Sequence, residues 1–338
     1  MHRYGGFEGN AQTLRICTRL GKTYQEQGGL NLTRRTLLGL LKYPAAQSVV
    51  VDSEFIKSAL ETKKHDNFES SPYIDIDFEL WKPAKCFYDS EKDIVEWIFH
   101  KIPSNERKKF TESVVAEKRD GRPTHRKTTH KSLDASIMDL SDDISYGVHD
   151  LEDAIHLELV KREDWGEFVA DKFKDLDRTD INLYELQNIE ESLFQKTKKW
   201  ELKSAIGRMV NYFVAKSQVQ TMDFTDPLLK YRISLTESER AFLEAVKKLV
   251  NEKVIKSARV QTLEFRGLQI ITRLFEALSK HPTRLLSLES RIHYESITTP
   301  ENKMRVISDY VATMTDDYAT KLYERLFVPR RGSLFEKL

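Results

Sequence analysis

Two cysteines in 338 residues, Cys17 and Cys86, are too few for a disulfide framework and show no metal-ligand spacing. Thirteen glycines and nine prolines leave long stretches unpunctuated, which argues against a sheet with many tight turns and for helices. No apolar run approaches the ~20 residues needed to span a bilayer, and the N-terminus has no apolar signal core. The expectation is a cytoplasmic protein without a membrane partner. Net charge is only +1, so no global field gathers anions and any anion site must come from a local cluster. No fixed-period repeat is present.

What the chain does have is apolar bulk. Seventeen Phe, 13 Tyr and 4 Trp suffice for one large helical domain or two smaller ones. Asn10–Leu20 reads as a helix, and Thr33 can cap another through Leu37, Leu38, Leu40 and Leu41. That helix must stop near Tyr43, because Pro44 disfavours helical geometry in the residue before it. Residues 51–85 break the pattern, and SSPYIDIDFELWKP reads as an irregular excursion with one strand. SEKDIVEWIFHKI resumes as a helix capped by Ser90. Residues 107–131 carry nine Lys or Arg against three acids around Gly121-Arg122-Pro123, which predicts a mobile basic loop.

The clearest periodicity runs from Leu133 to Val160, where Leu133, Ile137, Leu140, Ile144, Val148, Leu151, Ile155 and Leu159 form one apolar face. Further helices are predicted over Leu183–Lys199, Leu202–Ser217, Glu237–Asn251, Thr262–Leu278 and Pro300–Leu326. Thr236-x-x-Glu239 has the form of a capping box, and Thr299 precedes Pro300 at a first helical position. The fold class is all-α.

Within the periodic helix, SIMDLSDDISYGVHDLEDAI holds six acids and no Lys or Arg. Asp142, Tyr146 and Asp150 form a row rising ~6 Å per step, almost opposite the apolar face. Two readings stay open: a solvent-facing acidic stripe, or a covered site that holds a cation or a hydrogen-bonding ligand. No basic residue sits at i+4 to relieve the carboxylates, although each such pair contributes ~0.2–0.5 kcal/mol. The tyrosine in the row also suggests a layer packed over it.

SDDISYGVHDLEDA resembles the ADDIaYdvhDlEDa signature of the bacterial dGTPase family, the dNTP triphosphohydrolases of the HD superfamily. GGFEGNAQTLRI, GLNLTRRTLLGLLKYP, KCFYDSEKDIVEWI, LEFRGLQIITRLFEAL and DYVATMTDDYATKLYERLF resemble other blocks of that family, in order, from Tyr4 to about Phe327. The resemblance implies an HD-domain-like multi-helix domain with a helical C-terminal extension. Residues 1–160 would be the C-terminal part of the catalytic core, with insertions at about 51–85 and 107–131. Residues 161–338 would complete the nucleotide site and the oligomer contacts.

The same resemblance assigns roles. Asp142 matches a ligand of a divalent metal, Mg²⁺ or Mn²⁺. Tyr146 and Asp150 match residues that hold the deoxyribose, with Asp150 accepting from the 3′-hydroxyl, and Asn10 matches an asparagine near the sugar. Lys42 and Tyr43 match triphosphate contacts, Lys85 a second phosphate lysine, and Glu264 a residue near the base. Members attack the α-phosphorus with water and release deoxynucleoside and tripolyphosphate, so dGTP is the expected substrate. They are also oligomers, and Tyr310, Met314, Tyr318, Leu322 and Leu326, spaced by fours, give this chain an apolar helix in need of cover. Single-stranded DNA is a third partner class, resting on the basic segment and weakened by the lack of aromatics interleaved with it.

The sequence also departs from the pattern. The family's first histidine and its His-Asp dyad precede the GNAQ block, where this sequence has His2 but no His-Asp pair and no PPFGH-type stretch. His65-Asp66 lies in a polar loop, and His149-Asp150 shares a helix with Asp142 while Asp150 is already matched to the sugar, so neither reads as the dyad. His125 and His130 belong to the basic segment. One of four expected metal ligands remains, too few for tight binding. The expectation is the C-terminal part of a longer enzyme, inactive alone, whose acidic row is half of a substrate site. The alternative is a non-catalytic nucleotide-binding or regulatory subunit.

Overall fold

Apolar residues three and four apart fold as helices here, several of them opened by a polar cap at Glu8, Thr33, Ser132, Ser287 or Thr315. The computed structural model describes residues 6–23, 28–52, 83–115, 124–171, 183–195 and 199–329. Among these, the helices of seven or more residues are, in chain order, α1 (Gly9–Arg15), α2 (Arg34–Leu40), α3 (Lys92–Phe99), α4 (Ser104–Phe110), α5 (Leu133–His156), α6 (Leu183–Leu193), α7 (Lys199–Ala215), α8 (Glu237–Val250), α9 (Ala258–Lys280), α10 (Leu288–Ser296), α11 (Pro300–Ala312) and α12 (Asp316–Phe327). Two antiparallel pairs accompany them: β1 (Ser113–Val114) with β2 (Lys127–Thr128), and β3 (Gln218–Thr221) with β4 (Tyr231–Ser234). The fold is all-α, as expected. The strand expected in SSPYIDIDFELWKP falls outside the described residues.

Packing separates two compact units, Met1–His130 with Glu264–Leu338, and Lys131–Leu263. This partition by packing is distinct from the division at 160/161 that the family resemblance implies. In the second unit α5 is central. Leu140, Ile144, Val148 and Leu151 meet Phe242, Leu243, Val246 and Leu249 of α8 and Ala205, Met209 and Phe213 of α7 in one core. Phe213 stacks on Phe242 with ring centres 5.3 Å apart, and Trp165 meets Phe242 edge-on at 6.4 Å. Gly147 marks the closest approach of α8: a Cβ there would lie 3.0 Å from Leu243 Cδ1 and 3.2 Å from Lys247 Cγ.

The buried face of α5 differs from the expected stripe. Ser136, Gly147 and Ala154 are buried, whereas Ile137 is 43% exposed. Small side chains let the neighbouring helices come close, and the packed face is rotated toward them. The helix also ends at His156, so Leu159 lies beyond it.

In the first unit a buried ionic cluster ties α1 to α3 and α11. Arg15 donates from Nε and Nη2 to Asp309 at 2.8–3.0 Å, and from Nη1 to Glu91 at 2.6 Å. Gln12 Nε2 donates to Asp309 at 2.9 Å, and Arg19 Nε to Glu91 at 3.0 Å. Burial disfavours the Arg15 charge, but the bonds to Asp309 and Glu91 outweigh it and hold the guanidinium above its ordinary pKa. The outer end, Arg19 with Asp93, is exposed.

Several local expectations need correction. Ser90 does not cap α3: its hydroxyl donates to Glu91, and a 3₁₀ turn over Asp89–Glu91 leads into the helix. Thr236 stands at the start of α8, but no capping box forms, because neither its hydroxyl nor Glu239 Oε2 has a hydrogen-bond partner. The single helix expected over Pro300–Leu326 is two, α11 and α12, with Thr315 Oγ1 accepting from Tyr318 N at 3.2 Å to start the second. Tyr310 and Tyr318 put their hydroxyls 3.1 Å apart across the break. The apolar run that called for a partner subunit is covered within its own unit, by Ile270, Leu274 and Phe275 of α9 among others. The described parts of the basic segment are not simply loop. They end α4 and pair Ser113 with Thr128 and Val114 with Lys127.

Asp309→Ala leaves the buried Arg15 guanidinium with Glu91 alone, takes the acceptor from Gln12 Nε2, and is expected to cost about 3 kcal/mol. Asp93→Ala removes only an exposed partner and should cost less than about 1 kcal/mol. Urea unfolding of the two variants checks this; equal costs would show that the cluster does not carry the unit.

Candidate functional site

Two of the residues expected on the nucleotide, Asn10 and Lys85, meet at one side chain, Glu8, and a third, Tyr43, lies near the Lys85 ammonium. Glu8 is the N-cap of α1 and only 1% exposed. Its Oε2 accepts from Ala11 N at 2.8 Å, one of the helix's orphan donors. Its Oε1 accepts from Asn10 Nδ2 at 2.8 Å and from Lys85 Nζ at 2.9 Å. The Lys85 ammonium also stands 5.9 Å from the centre of the Tyr43 ring, within reach of a cation–π attraction. Lys42 is half-buried just past α2, where its backbone N donates to Leu40 O at 2.8 Å.

Tyr88 fixes the backbone of Glu8. Its hydroxyl accepts from Glu8 N at 3.1 Å and donates to Glu8 O at 3.2 Å. Arg305 lies 3.7 Å over the Tyr88 ring, and burial pushes the phenol up to about 12. One signal could have found Glu8: an acidic residue directly before a helix whose first polar side chain is Asn10. A cavity of about 360 Å³ in the same unit is lined by Arg15, Tyr88, Asp89, His293, Glu301 and Arg305 among others. None of the expected nucleotide contacts lines it, and its mixed charges select no ligand class.

The second unit holds the acidic row on α5. Asp142 is exposed, Tyr146 is 40% exposed and Asp150 is half-buried, so no layer of described residues covers the row. The rotation of the packed face explains the gradient, since each step along the row drifts ~40° toward the buried side. Relief for neighbouring carboxylates comes from afar. Lys247 on α8 donates to Asp143 at 2.8 Å, and Lys131 pairs with Asp139. Burial, with Asp153 adding to it and His149 opposing, raises the Asp150 pKa. Burial, then Asp150, raises Tyr146, with Lys247 opposing. His149 turns to Glu152, Nδ1 to Oε2 3.6 Å, and forms no metal dyad with Asp150. Glu264 is exposed on α9.

Among the described residues, no group of three or more His, Cys, Asp or Glu is gathered to hold a metal ion. Asp142 is exposed, and Asp139 and Asp143 are engaged by lysines. This donor set does not by itself fit a divalent cation, whose affinity follows ligand count. His2 and His65-Asp66 lie outside the described residues.

The chain is 40% identical over 329 residues to a deoxyguanosinetriphosphate triphosphohydrolase-like protein of Vibrio parahaemolyticus, covering 97% of this chain and 71% of the relative. It belongs to this triphosphohydrolase-like family. Family members from Shewanella sediminis (39% over 338 residues) and Deinococcus radiodurans (38% over 337) match 99% of the chain and 72% and 71% of their own lengths. Residues 233–325 match the model of a phosphohydrolase-associated domain. The family resemblance read from the ordered motifs is therefore correct. No described helix is long and apolar enough to cross a membrane.

Because the Asp150 pKa is raised by folding, its ionisation opposes the fold, and that cost appears as pH rises through the carboxylate range. Asp150→Asn should therefore stabilise the protein at pH 7, by up to about 0.5 kcal/mol for a partly exposed site. The gain should shrink as pH falls through the folded value and vanish below the ordinary aspartate value of 3.8, where the carboxyl is protonated in both states. Thermal melts across this range test it; a loss of stability at pH 7 would contradict it.

Proposed function

We propose that this chain carries the sugar- and phosphate-binding part of a metal-dependent dNTP triphosphohydrolase that acts on dGTP. The observation that supports it best is that Asn10 and Lys85 share Glu8 Oε1, with the Tyr43 ring centre 5.9 Å from the Lys85 ammonium. Lys42 and Lys85 supply the compact positive charges that a triphosphate needs. Asp150 accepts from the sugar 3′-hydroxyl, a charge-assisted hydrogen bond of roughly 1.5–3 kcal/mol, with Tyr146 beside it. Glu264 serves the base. These contacts position the ester for attack by water at the α-phosphorus. Asp142 is one ligand of Mg²⁺ or Mn²⁺, and the others, a histidine and a His-Asp pair, come from outside these 338 residues.

The ligand count favours a second reading, a nucleotide-binding or regulatory subunit without catalysis. Incubation with dGTP and Mn²⁺ separates the two. The 338-residue chain should release no tripolyphosphate, and the chain joined to a relative's His-Asp segment should release it. Asp142→Ala in the joined protein should abolish release and keep the helical circular dichroism, because the side chain is exposed. Release by the 338-residue chain alone would overturn the ligand assignment, and nucleotide binding without turnover by the joined protein would favour the regulatory reading.

Self-association belongs to the same proposal. What supports it is the family, whose members the resemblance makes oligomers. Light scattering with dGTP at micromolar concentration should show an oligomer; a strict monomer removes this part. Single-stranded DNA is the weakest partner, since Phe110, the one phenylalanine of the basic segment, is fully buried and offers no stacking surface.

A further inference from the structure

We infer that the outer edge of β3 is an interaction surface that takes β3 of a second copy of this chain, antiparallel, about a two-fold axis at Gln220. The inference rests on the reading that the chain self-associates, and it names the surface. Among the described residues β3 pairs only with β4. Met222 N donates to Lys230 O at 2.6 Å, and in an antiparallel ladder that bond sets the phase. Gln218 and Gln220 therefore turn their N–H and C=O groups to β4. Ile233, opposite Val219, turns away from β3, and its N–H donates to Ser136 Oγ of α5 at 3.0 Å. That contact covers the β4 edge. On the other side Val219 and Thr221 turn their N–H and C=O groups outward. All four residues of β3 are exposed, Val219 at 64%.

The strand is complementary to its own copy. Folded proteins blunt a free edge with charge, proline or a bulge, and Gln218-Val219-Gln220-Thr221 has none of these. Its one protection is brevity, which suits a contact that adds to an assembly rather than carrying it alone. The ends of the strand carry opposite charges, with exposed Lys216 before it and exposed Asp223 after it. An antiparallel copy brings each basic end to an acidic end, whereas a parallel one would set like charges together. With the axis at Gln220, Val219 exchanges both backbone bonds with Thr221 of the partner subunit, and Thr221 does the same with the partner's Val219. Each pair also sets two β-branched side chains side by side. Gln220 then faces itself across the axis, in a pair without hydrogen bonds whose Cα atoms stand ~4.5 Å apart.

The residue that meets itself supplies the test. In the whole chain with Cys17→Ser, Gln220→Cys should cross-link to a dimer when oxidised glutathione is added, because that Cα separation lies within disulfide reach. Gln218→Cys should not, since it would face Met222 of the partner subunit. Gln220→Lys sets two ammonium groups face to face at an exposed position. It should weaken self-association about fivefold by light scattering with dGTP at micromolar concentration, and leave the helical circular dichroism unchanged. Three results would overturn the surface and leave self-association standing: no cross-link with Gln220→Cys, equal cross-linking at both positions, or Gln220→Lys associating as tightly as wild type. The edge would then face water or another protein. A wild type that stays monomeric, with no cross-link from Gln220→Cys, removes the self-association reading and this inference together.

Discussion

The fork of Arg15 on Asp309 and Glu91 is the contact on which the first unit depends. It joins a residue near the N-terminus to one 294 positions later, in a place where a charge without partners would not survive. Only an arginine fits: its planar donors reach two carboxylates at once and hold them at fixed angles, which a lysine cannot do. Arg15 ends α1, the helix that Glu8 caps and that carries Asn10. The fork therefore anchors the C-terminal end of the helix whose first turn holds Asn10 beside Lys85.

Much of the architecture was legible because it is written locally. Thr33 and Pro44 bracket α2, and apolar residues three and four apart announce α5. The rotation of α5 was not legible, because it depends on how near a neighbouring helix can come at Ser136, Gly147 and Ala154, none of which is strongly apolar. The break between α11 and α12 had a signal, Thr315 followed by two acids, but the even spacing of Tyr310, Met314 and Tyr318 masked it. Spacing by fours continues through a three-residue linker as readily as through a helix, so periodicity alone cannot see the interruption.

The site was legible to different depths. Asn10, Tyr43 and Lys85 are named by ordered motifs, yet nothing in the motifs says that they converge. Asn10 and Lys85 meet on an acid that only its burial sets apart from an exposed carboxylate, and Tyr43 lies near the lysine. The acidic row shows the complementary failure. Its charges look unrelieved within one helix, but Asp143 is answered by a lysine 104 residues away. A rule restricted to i+4 neighbours measures the helix in isolation, and the folded unit does not leave it isolated.

Gly147 has a mechanical consequence for that row. With Leu243 and Lys247 seated where a Cβ would be, it is a notch in α5 that α8 occupies, and Lys247 on Asp143 latches it one turn away. Sliding α8 along α5 by one turn, about 5.4 Å, would drive Leu243 against a full side chain and open the latch. The helix pair therefore has one register and no shear. Asp142, Tyr146 and Asp150 belong to one continuous helix and keep their spacing like graduations on a ruler, while the notch fixes where α8 stands beside them.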